Sequence, residues 1–163
     1  MVHKVVAIEE RGVKARIVTK SPWYLIVLAH QVRSILWPLL KRDSRVSDVL
    51  RGDHHKAVEN VFRVSAPVDG WNIISSDLTS ASDTLPLDLI RDMATGLSIM
   101  LDLPKWMDDV LQSCVGPLAL EYPDGTKVEG TCRGILMGLP TTWFFLCLVH
   151  LFWVEEACGN GWM

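Results

Sequence analysis

Apolar and polar positions change period several times along this chain, and each change marks an element. Residues 11–20 (RGVKARIVTK) set Lys14, Arg16 and Thr19 or Lys20 against Val13, Ala15, Ile17 and Val18. That alternation predicts a strand with one charged face. From Tyr24 to Leu40 apolar residues recur at helical spacing, with Ser21-Pro22 as the start and Pro38 near the end. Arg51-Gly52 and Asp53-His54-His55 predict a break, then a short helix through Phe62. Residues 71–76 (WNIISS) predict a strand that ends in the polar stretch Asp77 to Thr84. Pro86 opens a helix to about Leu101, and Pro104 another to about Cys114. Residues 118–122 and 126–132 flank Pro123-Asp124-Gly125, a hairpin turn. Gly134 to Thr141 is a loop punctuated by Gly and Pro, and Thr142 to Ala157 a hydrophobic helix. The order is strand, helices, strand, helices, hairpin, loop, helix, which is α+β rather than repeated βαβ units.

The most apolar run, Trp143 to Val154, is interrupted by His150. It is too short for a membrane span of roughly 20 residues and is expected to be a buried helix. With 163 residues, 49% of them hydrophobic, the chain can bury one real core, and disorder is a poor description. No repeat or linker divides it. The net charge of -3 averages two unlike parts. Residues 1–63 hold 12 Lys or Arg against 6 Asp or Glu, and the remainder 4 against 13. A basic first third suits phosphate and an acidic remainder suits divalent cations, although charge scattered unevenly over a surface gives the same counts. Cys114, Cys132, Cys147 and Cys158 lack zinc-site spacing and are expected to be buried thiols of an intracellular protein. The N-terminus has no apolar core of a secretory signal. Trp23, Trp37, Trp71, Trp106, Trp143 and Trp153 are expected to pack the core. Asp53, His54 and His55 contain metal-ligating groups, but such a cluster on a polar turn is more often incidental.

Three segments could carry chemistry. In Ser76-Asp77-Leu78-Thr79-Ser80-Ala81-Ser82-Asp83 an acid ends a hydrophobic strand and a second acid follows on the next turn. A carboxylate held at a strand end ligates a hard cation such as Mg²⁺ with little reorganisation. The second carboxylate could accept a hydrogen bond from a substrate hydroxyl. The competing reading is that Ser82, Asp83 or Thr84 caps the next helix. In Arg133-Gly134-Ile135-Leu136-Met137-Gly138-Leu139-Pro140-Thr141-Thr142, two glycines four apart suit a loop whose N–H groups and hydroxyls meet a template or nucleotide. A plain hairpin-to-helix connection, capped by Thr141 or Thr142, fits equally. On Glu9 to Lys20, Lys14 and Arg16 suit gripping a triphosphate or RNA backbone, and a solvated strand face is the alternative.

Taken in order, the three segments resemble motifs F, A and B of viral RNA-dependent RNA polymerases, most closely those of the narnavirus and ourmiavirus-like (botourmiavirus) lineage. Motif F of that lineage, K-x-R-x-V-T-K, is similar to Lys14–Lys20. Motif A, D-L-T/S-x-A-T/S-D with a following L-P-L-D, is similar to Asp77–Asp83 and beyond. Motif B, R-G-x-x-M-G-x-P-x-T-W with a later His, is similar to Arg133–Trp143 and His150. The resemblance implies a partial right-hand polymerase of α+β class, with residues 1–66 as a fingers segment and 67–163 as a palm segment. It implies template-directed transfer of ribonucleotides, with RNA template, nascent RNA and ribonucleoside triphosphates as partners. Asp77 would ligate a catalytic Mg²⁺ or Mn²⁺ pair. Asp83 would sense the ribose 2′-hydroxyl, and Lys14, Arg16 and Lys20 would neutralise the triphosphate. Gly134, Gly138 and Thr142 would shape the loop against template and nucleotide. Replication in the host cytoplasm is expected, or in the mitochondrion. Ser80, Ala81 and Ser82 leave the space small and polar where reverse transcriptases tend to place an aromatic gate, so ribonucleotides are the expected substrate.

The chain departs from the family at two places. Many such enzymes carry an Asn on the motif B helix as partner to the second motif A Asp; four residues past Thr142 stands Leu146, followed by Cys147. The Gly-Asp-Asp of motif C is absent up to Met163. The two-ion site is then incomplete, the remaining palm and thumb are missing, and this segment alone is expected not to polymerise RNA. The alternative is a non-catalytic virus-derived relic acting as an RNA-binding or interaction protein.

Overall fold

A computed structural model describes residues 1–11, 14–65, 78 and 80–158, with the backbone alone at 14, 64, 65 and 158. The strand expected at 71–76, Trp71 and Asp77 lie outside the described residues. Two strands open the chain, β1 (Val2–Glu10) and β2 (Lys14–Lys20). They pair antiparallel from Lys4↔Lys20 to Glu10↔Lys14. β1 has no counterpart in the sequence pattern. Its Val5-Val6-Ala7-Ile8 run blurs the period of two, and its β-branched residues are held by pairing on both sides. On its other edge β1 pairs parallel with β3 (Ala119–Glu121), which pairs antiparallel with β4 (Lys127–Val128) across the predicted hairpin. The sheet order is therefore β2-β1-β3-β4.

Helix α1 (Trp23–Arg42) buries Leu25, Ala29, Val32, Leu36 and Leu40, one stripe at spacings of three and four. Lys41 and Arg42 end it, where cations meet the negative end of the helix dipole. Pro38 lies within its final turns rather than stopping it. A one-turn helix α2 (Ser47–Leu50) precedes the expected break at Arg51-Gly52, where Gly52 takes φ +84°. Asp53 then caps α3 (His54–Ser65), its Oδ1 accepting from the Lys56 N–H at 3.0 Å. α4 (Leu87–Met100) and α5 (Lys105–Val115) start just after Pro86 and Pro104, as the sequence predicts.

One core joins α1, α4, α5, the segment 135–139 and the helix α6 (Thr142–Cys158). Phe144, Phe145, Leu111 and Leu36 are among its fully buried members. Truncating Phe145 to Ala would cost about 3–5 kcal/mol by lost burial and the cavity left.

Three expectations about burial are corrected. α6 is buried over Phe144, Phe145, Leu146 and Val149, but Phe152, Trp153 and Val154 in its second half are exposed. The tryptophans do not fill the core: Trp23 is 77% exposed, and Trp106, Trp143 and Trp153 are also exposed. Each helix buries a single stripe, so a large ring off that stripe faces outward. Among the cysteines Cys114 is buried, Cys147 partly so, and Cys132 is exposed on the connection after β4. Among the described residues no helix is long and apolar enough to cross a membrane.

Candidate nucleotide site

The loop between β4 and α6 is held from three sides. Ile135, Leu136 and Leu139 point their side chains into the core. On one flank the Gly134 N–H donates to the Leu85 carbonyl at 2.7 Å, and the Ile135 N–H to the Ser82 carbonyl at 2.8 Å. On the other, the Thr19 N–H and Thr19 Oγ1 both donate to the Met137 carbonyl at 2.8 Å. The Thr142 hydroxyl donates to the Leu136 carbonyl at 2.7 Å and closes the loop onto the start of α6. A buried loop survives only if its polar backbone groups find partners, and these bonds supply them.

Both glycines are required by close approach. Gly134 has φ +80°, and a Cβ there would sit 2.8 Å from the Asp83 carbonyl oxygen and 2.9 Å from its Cα. Gly138 has φ +125°, and a Cβ there would fall 2.3 Å from the Thr19 carbonyl oxygen. The two glycines thus seat one loop between the turn that carries Asp83 and the strand that carries Thr19. Segments more than 100 residues apart in sequence meet here: Thr19 and Met137 differ by 118 positions.

The turn before α4 has its own geometry. Ser80 takes φ 54°, unusual for a residue with a Cβ, and its carbonyl accepts from the Asp83 N–H at 2.9 Å. Asp83 is exposed, and its Oδ1 accepts from Ser82 Oγ at 3.1 Å. The helix cap weighed for Ser82, Asp83 and Thr84 is not formed. Pro86 occupies the cap position of α4 and makes no side-chain cap bond, while Asp88 Oδ1, inside the first turn, accepts from the Leu89 N–H at 2.9 Å. The Asp83 carboxylate therefore looks outward over the loop.

A groove of about 250 Å³ results, bordered by Thr19, Asp83, Tyr122, Thr131 and Arg133, with Val5, Ile17, Leu120 and the 134–137 backbone as its remaining wall. Tyr122 and Thr131 are not marked by the sequence pattern as binding residues, and Arg133 is marked only as the first residue of the motif B segment. The pairing of β3 with β1 brings Tyr122 beside Thr19, and the hydrogen bonds from Thr19 to Met137 bring the segment that Arg133 opens. A larger, open depression of about 530 Å³ along α3 is lined by His54, His55, Val58, Glu59 and Phe62 and holds none of the motif residues.

The remaining expected residues fall elsewhere. Successive side chains alternate across a strand. Ile17 and Thr19 line the groove, so Arg16 and Lys20 lie on the opposite face of β2. Arg16 there pairs with Glu10 at 2.9 Å, both side chains largely exposed. Lys14 starts β2 opposite Glu10 in register. Thr142 is 5% exposed, behind the loop rather than in the groove. Leu146, four residues past Thr142, is 7% exposed within the core. Among the described residues no group of three His, Cys, Asp or Glu side chains is placed to hold a metal ion, so no cation site is built by them.

Two titratable groups sit behind this arrangement. Burial pushes the Cys114 thiol up to about 11, offset in part by a hydrogen bond with the Thr141 side chain at the loop's end. Burial, and secondarily the N-terminal ammonium, lowers the pKa of His3 at the root of β1.

No family model matches the chain. Two curated proteins do. The RNA-directed RNA polymerase of Saccharomyces 23S RNA narnavirus is 44% identical over 158 residues, which is 93% of this chain and 16% of that protein. The RNA-directed RNA polymerase of Saccharomyces 20S RNA narnavirus is 40% identical over 154 residues, 94% of this chain and 18% of the relative. The chain thus spans less than a fifth of the length of either relative.

Proposed function

We propose, on the premise that this chain is a relative of the narnavirus RNA-directed RNA polymerases across nearly its whole length, that it is the part of such an enzyme that receives the incoming ribonucleotide. The observation that carries this reading is the seating of Gly134 on Asp83 and of Gly138 on Thr19. That seating draws the three motif-bearing segments around one groove. Residues 1–66 act as a fingers segment and 67–163 as a palm segment. The partners are an RNA template, its growing copy and ribonucleoside triphosphates. Replication takes place in the host cytoplasm or mitochondrion.

In this reading the groove face of β2 and the Asp83 carboxylate meet the ribose. The opposite face of β2, with Arg16 and Lys20 and with Lys14 at its start, meets triphosphate or RNA backbone phosphate. Thr142 acts through the loop, since its proton is committed to the Leu136 carbonyl. Asp77 holds a divalent cation, Mg²⁺ or Mn²⁺, which when bound supplies charge neutralisation for phosphoryl transfer.

The test uses a full-length polymerase carrying this segment. Asp77→Asn is expected to abolish cation-dependent nucleotide addition while leaving RNA binding within about twofold, and retained addition would reject the role. Asp83→Ala is expected to reduce discrimination between ribo- and deoxyribonucleotides by about tenfold, the scale of one hydrogen bond to a charged group. Unchanged discrimination would return Asp83 to a structural part of its turn.

A further inference from the structure

Three side chains on the rim of the groove lack, among the described residues, the partner that their chemistry calls for. Arg133 is exposed and, among the described residues, its guanidinium makes no hydrogen bond or ion pair, although it carries five donors in a planar fork. Tyr122 is 39% exposed, and its ring packs against no other aromatic ring among the described residues. Among the described residues the Asp83 carboxylate accepts from the neighbouring Ser82 hydroxyl alone.

Each is nevertheless fixed from behind. The Tyr122 backbone is locked in the β3–β4 turn, donating its N–H to the Thr126 carbonyl at 2.8 Å and accepting from the Gly125 N–H at 3.0 Å. Arg133 stands between Gly134, wedged on Asp83, and Thr131, whose N–H donates to the Leu118 carbonyl at 3.0 Å. A lone surface Arg or Tyr is ordinary. An unmatched guanidinium, aromatic face and carboxylate around one concavity of about 250 Å³ are complementary to a single kind of ligand. The volume lies just under the roughly 300 Å³ at which small-molecule pockets begin, so it takes one nucleoside unit rather than a strand.

We propose that Tyr122 and Arg133 complete, with Asp83, a subsite for one ribonucleotide. Tyr122 stacks on the base, Arg133 holds a phosphate, and Asp83 accepts from a ribose hydroxyl. This rests on the polymerase reading and adds two binding residues to it. Arg133 also places a cation on the groove face of β2, from which Arg16 and Lys20 are turned away. The nucleotide is either free or the terminal unit of an RNA strand.

The test titrates this 163-residue chain, without divalent metal, against AMP, 2′-deoxy-AMP and a single-stranded adenosine hexaribonucleotide. The amide resonances of Gly134 and Ile135 serve as reporters. Arg133→Ala and Tyr122→Leu are each expected to weaken binding about tenfold, with Arg133→Lys and Tyr122→Phe recovering part of the loss. Asp83→Asn is expected to narrow the preference for AMP over 2′-deoxy-AMP. Retained amide dispersion in each variant separates binding from folding. Shifts with AMP make the ligand a free nucleotide, and shifts with the hexamer alone make it a strand end; either supports the subsite. If Arg133→Ala and Tyr122→Leu leave binding of both probes unchanged, or if shifts appear away from the groove, the subsite is rejected. Absence of any shift up to millimolar concentration also rejects it. The polymerase reading stands or falls separately, on Asp77→Asn in the full-length enzyme.

Discussion

The loop 134–142 and the outer part of the β1–β2 hairpin both carry residues that the motifs single out, yet they are built in opposite ways. The loop has little regular structure but is anchored by three buried apolar side chains and by hydrogen bonds to two distant segments. The hairpin is regular and fully paired, but from Ala7 to Glu10 and over Ala15 to Ile17 it is exposed. Its only ion pair, among the described residues, joins Arg16 and Glu10 in solvent. Regular hydrogen bonding, then, does not make a segment rigidly placed. Position is over-determined where side chains enter the core and backbones touch, and open where a ladder projects into water. A nucleotide's ribose needs the first kind of surface. Flexible, solvated cations are enough for phosphate.

The strongest way to break this contrast is to force the loop off β2. Gly138→Ala places a methyl 2.3 Å from the Thr19 carbonyl oxygen at φ +125°. Strain and displacement together should cost about 3 kcal/mol in urea unfolding. Gly52→Ala is the control: its φ is +84° but nothing lies within 4 Å, so the cost should be about 1 kcal/mol. Equal losses in the two variants would mean that the loop does not press on β2.

Thr19→Val is next in size. It removes the hydroxyl donor to Met137 and keeps the backbone bond, so about 1 kcal/mol should be lost and Thr19→Ser should restore most of it. Faster hydrogen exchange at Gly134 and Ile135 in the Val variant would sharpen the picture of a shared clamp. Unaltered exchange would dissolve it.

The root of the hairpin offers a smaller, pH-dependent effect. His3 is fully buried, its Nδ1 lies 2.8 Å from Ser21 Oγ, and among the described residues its Nε2 has no partner. Burial lowers its pKa below the usual 6.5, which favours the neutral ring in the folded chain over the unfolded one. Well above pH 6.5 neither state is protonated and His3 adds no pH dependence. As pH falls through 6.5 the unfolded chain takes up a proton that the folded chain refuses, and stability falls until pH passes the lowered folded value. Urea midpoints at pH 7.5 and 5.5 should therefore differ more in the wild type than in His3→Gln. Identical differences would remove His3 from the account.

Smallest of all is Arg16→Ala. An ion pair with side chains 58% and 41% exposed should contribute under about 0.5 kcal/mol. A loss above 1 kcal/mol would show that the hairpin is held more firmly than its exposure suggests.

Much of this molecule could be read from its residues alone. Pro86 and Pro104 preset the entry to α4 and α5, the period of α1 marks its buried stripe, and Pro123-Asp124-Gly125 makes the β3–β4 turn, because each is a local steric or periodic constraint. The motif spacings resemble those of the narnavirus polymerases, and two RNA-directed RNA polymerases of narnaviruses are 44% and 40% identical over nearly the whole chain. Other features were decided only by tertiary contact. β1 becomes a strand because β2 and β3 flank it. The second half of α6 and four tryptophans stay exposed although apolarity argued for burial, since a helix packs on one side only. Asp83 does not cap α4, because Pro86 already holds that position. Tyr122 reaches the groove through a parallel pairing between strands more than 100 residues apart, and Arg133 through the seating of Gly134 on Asp83. Local sterics act within a few residues and are written in the chain. The meeting of Thr19, Asp83 and Gly134 depends on which surfaces find each other, and only the packed core settles that.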